Sequence, residues 1–169
     1  MPLRVLVDTR KLNAPRLAVA APGMTAGEAG PPSLESFAKL VGPLWLEDGE
    51  TVFPSTGHVD APALALGWWL EVVQALFEKK RLAGVLGFAG GPFEVRVTVE
   101  SRVWLLDLCE RGKRRTVKTP RLRTTPRKLA AALADAAGKL LASAKKKELT
   151  GPELDVLLRN RKRLQAALR

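Results

Sequence analysis

Apolar and polar positions along this chain follow two different periods, and the switches between them mark out the elements. Residues 3–8, Leu-Arg-Val-Leu-Val-Asp, alternate as a short strand. Leu44 to Phe53 places apolar flanks around Asp48-Gly49. That pair tolerates positive φ at both central turn positions and predicts a hairpin with a type I′ turn. From about 61 to 80 the period becomes helical, with Leu64, Trp68, Val72 and Leu76 in step. Apolar residues cover much of its circumference, which predicts the central core helix. Asp60 is the expected N-cap, and Pro62 fits the first turn. The period then returns to two: Phe93, Val95, Val97 and Val99 alternate with Glu94, Arg96, Thr98 and Glu100. Val103 to Cys109 is a second apolar run, and 115–123 a third strand. Pro120 confines that third strand to an edge or ends it early.

Two helices follow. Thr125 can cap the first, with Pro126 at its first position. Leu129, Leu133, Leu140, Leu141 and Ala144 keep helical spacing, and Gly138 weakens the helix slightly. Thr150 and Glu153 match a capping box ahead of Leu154, Leu157, Leu158, Leu164 and Leu168. The short link predicts an antiparallel helical hairpin. The remaining segments have loop composition. Residues 13–33 are rich in Pro and Gly, Ser33 to Leu40 suits one or two helical turns, and 82–92 reads as a glycine-rich flexible connection. The expected fold is therefore α+β. A mostly antiparallel sheet, hairpin plus three-stranded meander, packs on a central Trp-rich helix, with a basic helical hairpin at the end. Residues 1–123 form the sheet domain, and 124–169 the helical hairpin packed on it.

Composition adds a compartment and a charge asymmetry. The chain has 169 residues and is 46% hydrophobic, enough to bury one core. A single cysteine, Cys109, rules out an internal disulfide and fits a reducing, cytoplasmic setting. The start of the chain lacks the long apolar region of a signal peptide, and no stretch suits a membrane span. The richness in Ala, Arg, Leu and Gly fits a high-GC bacterial genome. The formal charge is +11, divided very unevenly. Residues 1–110 carry −3 and residues 111–169 carry +14.

Candidate chemistry is sparse. Cys109 and the lone His58 would need spatial closeness to act as a nucleophile and base, and Cys109 lies in an apolar strand run. His58 and Asp60 supply two metal ligands where zinc wants three or four. Glu47, Asp48 and Glu50 lack the spacing of a calcium loop and suit a solvated turn. The Gly84–Gly91 run precedes a strand, whereas phosphate-binding glycine loops open a helix. No catalytic residue, metal or cofactor is therefore expected. Trp68 and Trp69 point about 100° apart on their helix. One belongs in the core, and the other is either core as well or a candidate interface anchor.

The basic region stands out. Arg111, Lys113, Arg114, Arg115, Lys118, Arg121, Arg123, Arg127 and Lys128 run without an acidic interruption. Like charges at this density repel unless a counter-charge is present. Alternate cations along a strand face suit a phosphate backbone, and the interleaved threonines add hydroxyl donors. Lys145, Lys146 and Lys147 end the penultimate helix, and Arg159, Lys162 and Arg163 line one face of the last. No aromatic residue follows Trp104, so base stacking by this region is excluded. The expected function is non-catalytic binding of an acidic partner, with nucleic-acid phosphates favoured over an acidic protein. The alternative is a bacterial immunity- or inhibitor-type protein that blocks an acidic partner protein. The small α+β body and the Trp pair suit that alternative, although inhibitors of nucleases are usually acidic.

Overall fold

The computed structural model describes residues 3–12, 40–110 and 116–169, the side chains of 116–120 excepted. The loop expected over 13–33, the helical turns expected from Ser33 to residue 39, and the turn expected at Arg111-Gly112-Lys113 lie outside the described residues. In chain order the elements are β1 (Arg4–Val7), a 3-10 turn (Thr9–Lys11), β2 (Gly42–Asp48), β3 (Thr51–Phe53), β4 (Val59–Asp60) and α1 (Pro62–Phe77). Then come β5 (Ala83–Gly87), β6 (Phe93–Glu100), β7 (Val103–Glu110), β8 (Thr116–Thr124), α2 (Pro126–Lys146) and α3 (Pro152–Ala167). The fold is α+β, with two antiparallel sheets and three α-helices among the described residues. In the first sheet β2 pairs with β1, β3 and β4. The second is a meander in the order β5-β6-β7-β8.

The β2–β3 hairpin forms with its turn displaced by one residue from expectation. Asp48 pairs with Thr51, so Gly49 and Glu50 are the loop. Only Gly49 of the two has positive φ, 62°. That is the II′ pattern, with Gly at the first central position, rather than I′. The larger departure is β5, in the segment expected to be a flexible connection. Its backbone pairs with β6 from Ala83↔Thr98 to Gly87↔Glu94, so the meander has four strands. Ladder pairing uses main-chain groups, and a run of small residues carries no apolar period to announce it. Gly84 also has a packing role. A Cβ there would lie 2.5 Å from Val72 Cγ1 and 3.3 Å from Leu76 Cδ1. The bare backbone lets α1 press directly on β5.

At the other end of the meander, β8 takes the edge position that Pro120 requires. Its register against β7 breaks twice, between Leu106 and Leu108 and between Leu108 and Cys109. Leu106 faces Leu122 while Leu108 faces Lys118, which leaves Pro120 in the bulged stretch.

The core is organised by α1. Ala65, Leu66, Trp69, Leu70 and Val73 are fully buried, and the helix packs on α3, α2, β5 and β2. Leu129, Leu133 and Leu140 of α2 and Leu157 and Leu164 of α3 join the same core as Val95, Val97, Trp104 and Leu106 of the second sheet. The helical hairpin therefore packs on the body. Polar contacts tie its helices to α1 and to each other. Buried Asn160 donates from Nδ2 to the Gly67 carbonyl at 3.0 Å, and Arg161 Nε donates to the Ala134 carbonyl at 2.9 Å. Gly138 leaves room for that guanidinium, which accounts for a residue that intrinsic propensity disfavours.

The caps divide. Thr125 Oγ1 accepts from Lys128 N at 3.3 Å, as expected. The expected capping box of Thr150 and Glu153 does not form. Gly151 is the N-cap without a side-chain bond, and the Glu153 carboxylate folds over it instead. Asp60 is not the N-cap of α1 either; Ala61 is, and it has no side-chain cap bond.

Gly84→Val is expected to lower stability by about 1–3 kcal/mol through overpacking against Val72 and Leu76. Gly87→Ala, where nothing lies within 4 Å, is expected to stay within about 0.5 kcal/mol of the parent. Urea unfolding of the two variants checks this. Equal stabilities would contradict the close α1–β5 contact.

Candidate anion-binding surface

The alternation of β8 decides which way its cations point. Leu122 and Thr124 are buried, while Arg121 and Arg123 are exposed on the outer face of the second sheet. Arg121 grips Asp107 of β7 with two bonds, Nε to Oδ1 at 2.6 Å and Nη2 to Oδ2 at 3.0 Å. Its charge is therefore committed within the fold. Arg123 is exposed, and no ion pair to it is found among the described residues. Arg111, Lys113, Arg114 and Arg115 lie outside the described residues, and Lys118 is placed in β8 by its backbone alone.

Other cations are likewise committed. Lys139 pairs with Asp135 at 2.7 Å. Lys147 donates from Nζ to the carbonyls of Thr9, Arg10 and Leu12 at 3.0, 3.3 and 3.2 Å. The ammonium thereby satisfies the end of the 3-10 turn and holds it against α2. Arg161 is held by the Ala134 carbonyl.

What remains is a smaller set: Arg123, Arg127, Lys128, Lys145, Lys146, Arg159, Lys162 and Arg163, all exposed. None has an ion pair among the described residues. Arg127 and Lys128 stand in the first turn of α2, and that turn contains no acidic residue. The first turn of α3 has the opposite composition, with Glu153 and Asp155. Helix N-termini carry partial positive charge from unpaired N–H groups, so cations there are unfavourable by about 0.3–1 kcal/mol each.

The two helices run antiparallel. Arg161 reaches Ala134, and Leu154 and Leu158 line a groove with Leu141, Ala144 and Lys145. The last turns of α3 therefore lie beside the first turns of α2. Arg127 precedes Ala134 by seven residues, two turns, and so stands on the side of α2 that faces α3. Arg163 sits roughly 10 Å along the axes from the level of Arg127. Arg123 lies just round the β8–α2 corner. Arg123, Arg127 and Lys128 thus stand together around the β8–α2 corner, and the last turns of α3 lie beside them. The structure does not join all the sequence-predicted cations into one face. Arg121 and Arg123 project from the outer sheet face, whereas Arg159 and Lys162 project from α3 on the helical side.

Trp68 and Trp69 separate as their angular offset requires. Trp69 is fully buried and Trp68 is 50% exposed.

A second polar feature went unrecognised by sequence reasoning beyond its capping role. The Asp60 side chain is buried in the core. Its Oδ1 accepts from three backbone groups, Ala61 N at 2.6 Å and Ala89 N and Gly90 N at 3.0 Å each. The carboxylate thus ties the β4–α1 junction to the β5–β6 connection. Its Oδ2 lies 4.0 Å from His58 Nε2, and neither atom has a hydrogen-bond partner among the described residues. His58 stands edge-on to Phe88 and Phe93, with centroids at 5.4 and 5.3 Å. Burial pushes the Asp60 carboxyl above the ordinary carboxylate value, against the pull of its N–H donors and of His58. Burial pushes the His58 imidazole below its ordinary value, against the pull of Asp60.

Cys109 has other neighbours. Its thiol donates to the Asp107 carbonyl at 3.5 Å, and burial raises its pKa despite nearby Arg96. No contact brings it to His58, and no group of three or more metal-ligating side chains exists among the described residues. No described helix is long and apolar enough to cross a membrane.

Asp60→Ala leaves three backbone donors without their acceptor and is expected to cost about 3 kcal/mol or more. Asp60→Asn keeps an oxygen for those donors and is expected to cost much less; thermal unfolding separates the two. His58 titrates lower in the fold than in the unfolded chain. Its contribution is therefore full above about pH 6.5 and is lost as pH falls from there through its lower value in the fold. Asp60, shifted upward, acts in the opposite sense at lower pH. The fall in Tm between about pH 7 and 5 is expected to flatten in His58→Phe. An unchanged slope would remove His58 from the pH response.

No family model, no curated protein and no solved structure matches the chain, so the reading of this surface rests on its own charges and geometry.

Proposed function

We propose that the protein is a non-catalytic binding module that contacts an acidic partner, with the phosphate backbone of nucleic acid as the favoured ligand. The observation that carries this reading is the first turn of α2. Arg127 and Lys128 occupy a site where backbone N–H groups already concentrate positive charge, and no acid offsets them. A docked phosphate would meet the Arg127 N–H, the two side chains and neighbouring Arg123 together, since Pro126 has no N–H and Lys128 N is already held by Thr125. Arg163 approaches the same end through the antiparallel hairpin. The remaining cations of α3 extend the positive field. With no aromatic residue after Trp104, contact is to the backbone and tolerant of sequence.

A second reading is supported by Trp68. A tryptophan 50% exposed on a helix suits an apolar anchor on a partner protein, as in an immunity or inhibitor protein that blocks an acidic target. Salt distinguishes the two, because counterion release makes phosphate binding fall steeply with ionic strength while an apolar anchor is insensitive to it.

Fluorescence anisotropy with generic single- and double-stranded DNA and RNA at about 50 and 200 mM salt tests the first reading. Replacing Arg123, Arg127 and Lys128 together by Glu is expected to abolish binding with an unchanged circular dichroism spectrum. Replacing the same three by Gln is expected to lower the salt slope by roughly 2–3. Arg121 is left intact because its reversal would break the Asp107 pair. Retained binding in the folded Glu variant, or no binding by the parent at the lower salt, would exclude this surface as a phosphate site.

A further inference from the structure

The second sheet has two edges, and they are built differently. At β8 the edge is broken by Pro120 and two register shifts and carries Lys118, Arg121 and Arg123. Proline, bulges and lysines are the usual devices that prevent an edge from pairing with another strand. The β5 edge has none of them. Its sequence is Ala-Gly-Val-Leu-Gly, without charge or proline, and its register against β6 is unbroken. Among the described residues no strand pairs with its outer side.

The ladder identifies which groups are open. Val99 N donates to the Leu82 carbonyl and Phe88 N to the Phe93 carbonyl. The even-numbered residues of β5 therefore bond to β6, and the N–H and C=O groups of Ala83, Val85 and Gly87 point outward. The Gly87 carbonyl already accepts from the buried Trp69 indole at 2.8 Å. Ala83 and Val85 are both exposed, Val85 at 48%.

Apolar side chains surround this edge. Leu82, immediately before β5, is 72% exposed. Trp68 stands one helical turn before Val72, the residue that covers Gly84. It therefore lies on the stripe of α1 that borders β5. A strand laid along the edge would set one row of side chains against Trp68 and Leu82 and the other beside Val85. Lys79 and Arg81, both exposed and without an ion pair among the described residues, flank the start of β5, while Lys80 pairs with Glu78. The β5 edge of a second copy, Ala83–Gly87, carries no acid to set against them.

We propose that the outer edge of β5 is a strand-addition site for an extended segment of a partner polypeptide, acidic at the end beside Lys79 and Arg81. The segment runs antiparallel, like its neighbours in the sheet, and bonds to the main chain of Ala83 and Val85. This surface is distinct from the cations at the α2 N-terminus.

The test uses the full chain and a labelled peptide, acetyl-Val-Thr-Val-Thr-Asp-Glu-amide, whose acidic end meets Lys79 and Arg81 only in the antiparallel sense. The peptide is expected to bind saturably and to slow hydrogen exchange at the Ala83 and Val85 amides, which exchange freely without it. The reversed-order peptide is expected to bind more weakly. Val85→Pro removes an outward N–H without touching the β6 ladder. It is expected to preserve the circular dichroism spectrum and weaken binding about tenfold or more. Should that variant not fold, Trp68→Ala, at an exposed position, is expected to weaken binding in its place. Absence of binding at about 1 mM peptide would overturn the proposal. So would equal binding by folded Val85→Pro, or by Trp68→Ala where it stands in. A protein that sediments as a dimer, with both amides protected before peptide is added, would also overturn it and give the edge to a second copy.

Discussion

The close seat of α1 on β5 is the contact on which the other elements depend. Gly84 removes the side chain that would hold the two apart, and Trp69 then reaches far enough to hydrogen-bond the Gly87 carbonyl while its ring meets Phe88 edge-on at 4.9 Å. A buried indole requires a partner for its N–H, and a strand edge supplies a free carbonyl. With α1 pinned there, its other flanks receive α3 and α2. Asn160 and Arg161 lock those two helices to α1 and to each other through backbone carbonyls. The cationic end of the molecule is thus a consequence of where a largely apolar helix sits.

Charge is divided between holding the fold and facing outward. Arg121, Lys139, Lys147 and Arg161 all find acceptors within the chain. Exposed pairs of this kind contribute little stability each. Their greater effect is to remove those cations from the pool available to a partner. Lys147 has the clearest internal role, with three carbonyls converging on one ammonium. Of the cations left over, Arg127 and Lys128 stand where the helix dipole opposes them, with no acid in that turn. Asp60 shows the converse arrangement. A carboxylate buried in the core is tolerated because three N–H groups converge on one of its oxygens. The second oxygen faces His58, so the pair couples stability to pH at the place where β4, α1 and the β5–β6 connection meet.

Much of the fold was legible because periodicity reports burial directly. The alternation from Phe93 to Glu100 became β6, the Trp-rich run became α1, and Thr125 capped α2 as its position implied. Pro120 announced an edge strand because the lack of an N–H is a covalent property. β5 was missed for an equally physical reason. Its residues show no alternation of apolar and polar, and what makes them a strand is main-chain pairing with partners seven to fifteen residues on. The shift of the hairpin turn from Asp48-Gly49 to Gly49-Glu50 belongs with β5, because register is a property of two strands together. Asp60 and Thr150 had the right chemistry to cap and did not. One was drawn to the N–H groups of Ala89 and Gly90, and the other gave way to Gly151.

The sequence by itself determined the α+β class, the order of most elements and the concentration of positive charge after residue 110, since these depend on composition and local spacing. It also determined that the two adjacent tryptophans point about 100° apart, so that they need not share one environment. Tertiary structure decided that Trp68 was the one to leave the core. It decided which arginines are neutralised, because Asp107 and Arg121 meet only across a bulged strand pair. It decided the register of α3 on α2, fixed by Arg161 at the Ala134 carbonyl and the space that Gly138 leaves for it. Contacts between residues far apart in the chain have no local pattern, and these are the contacts that separate a cation holding the fold from one facing a partner.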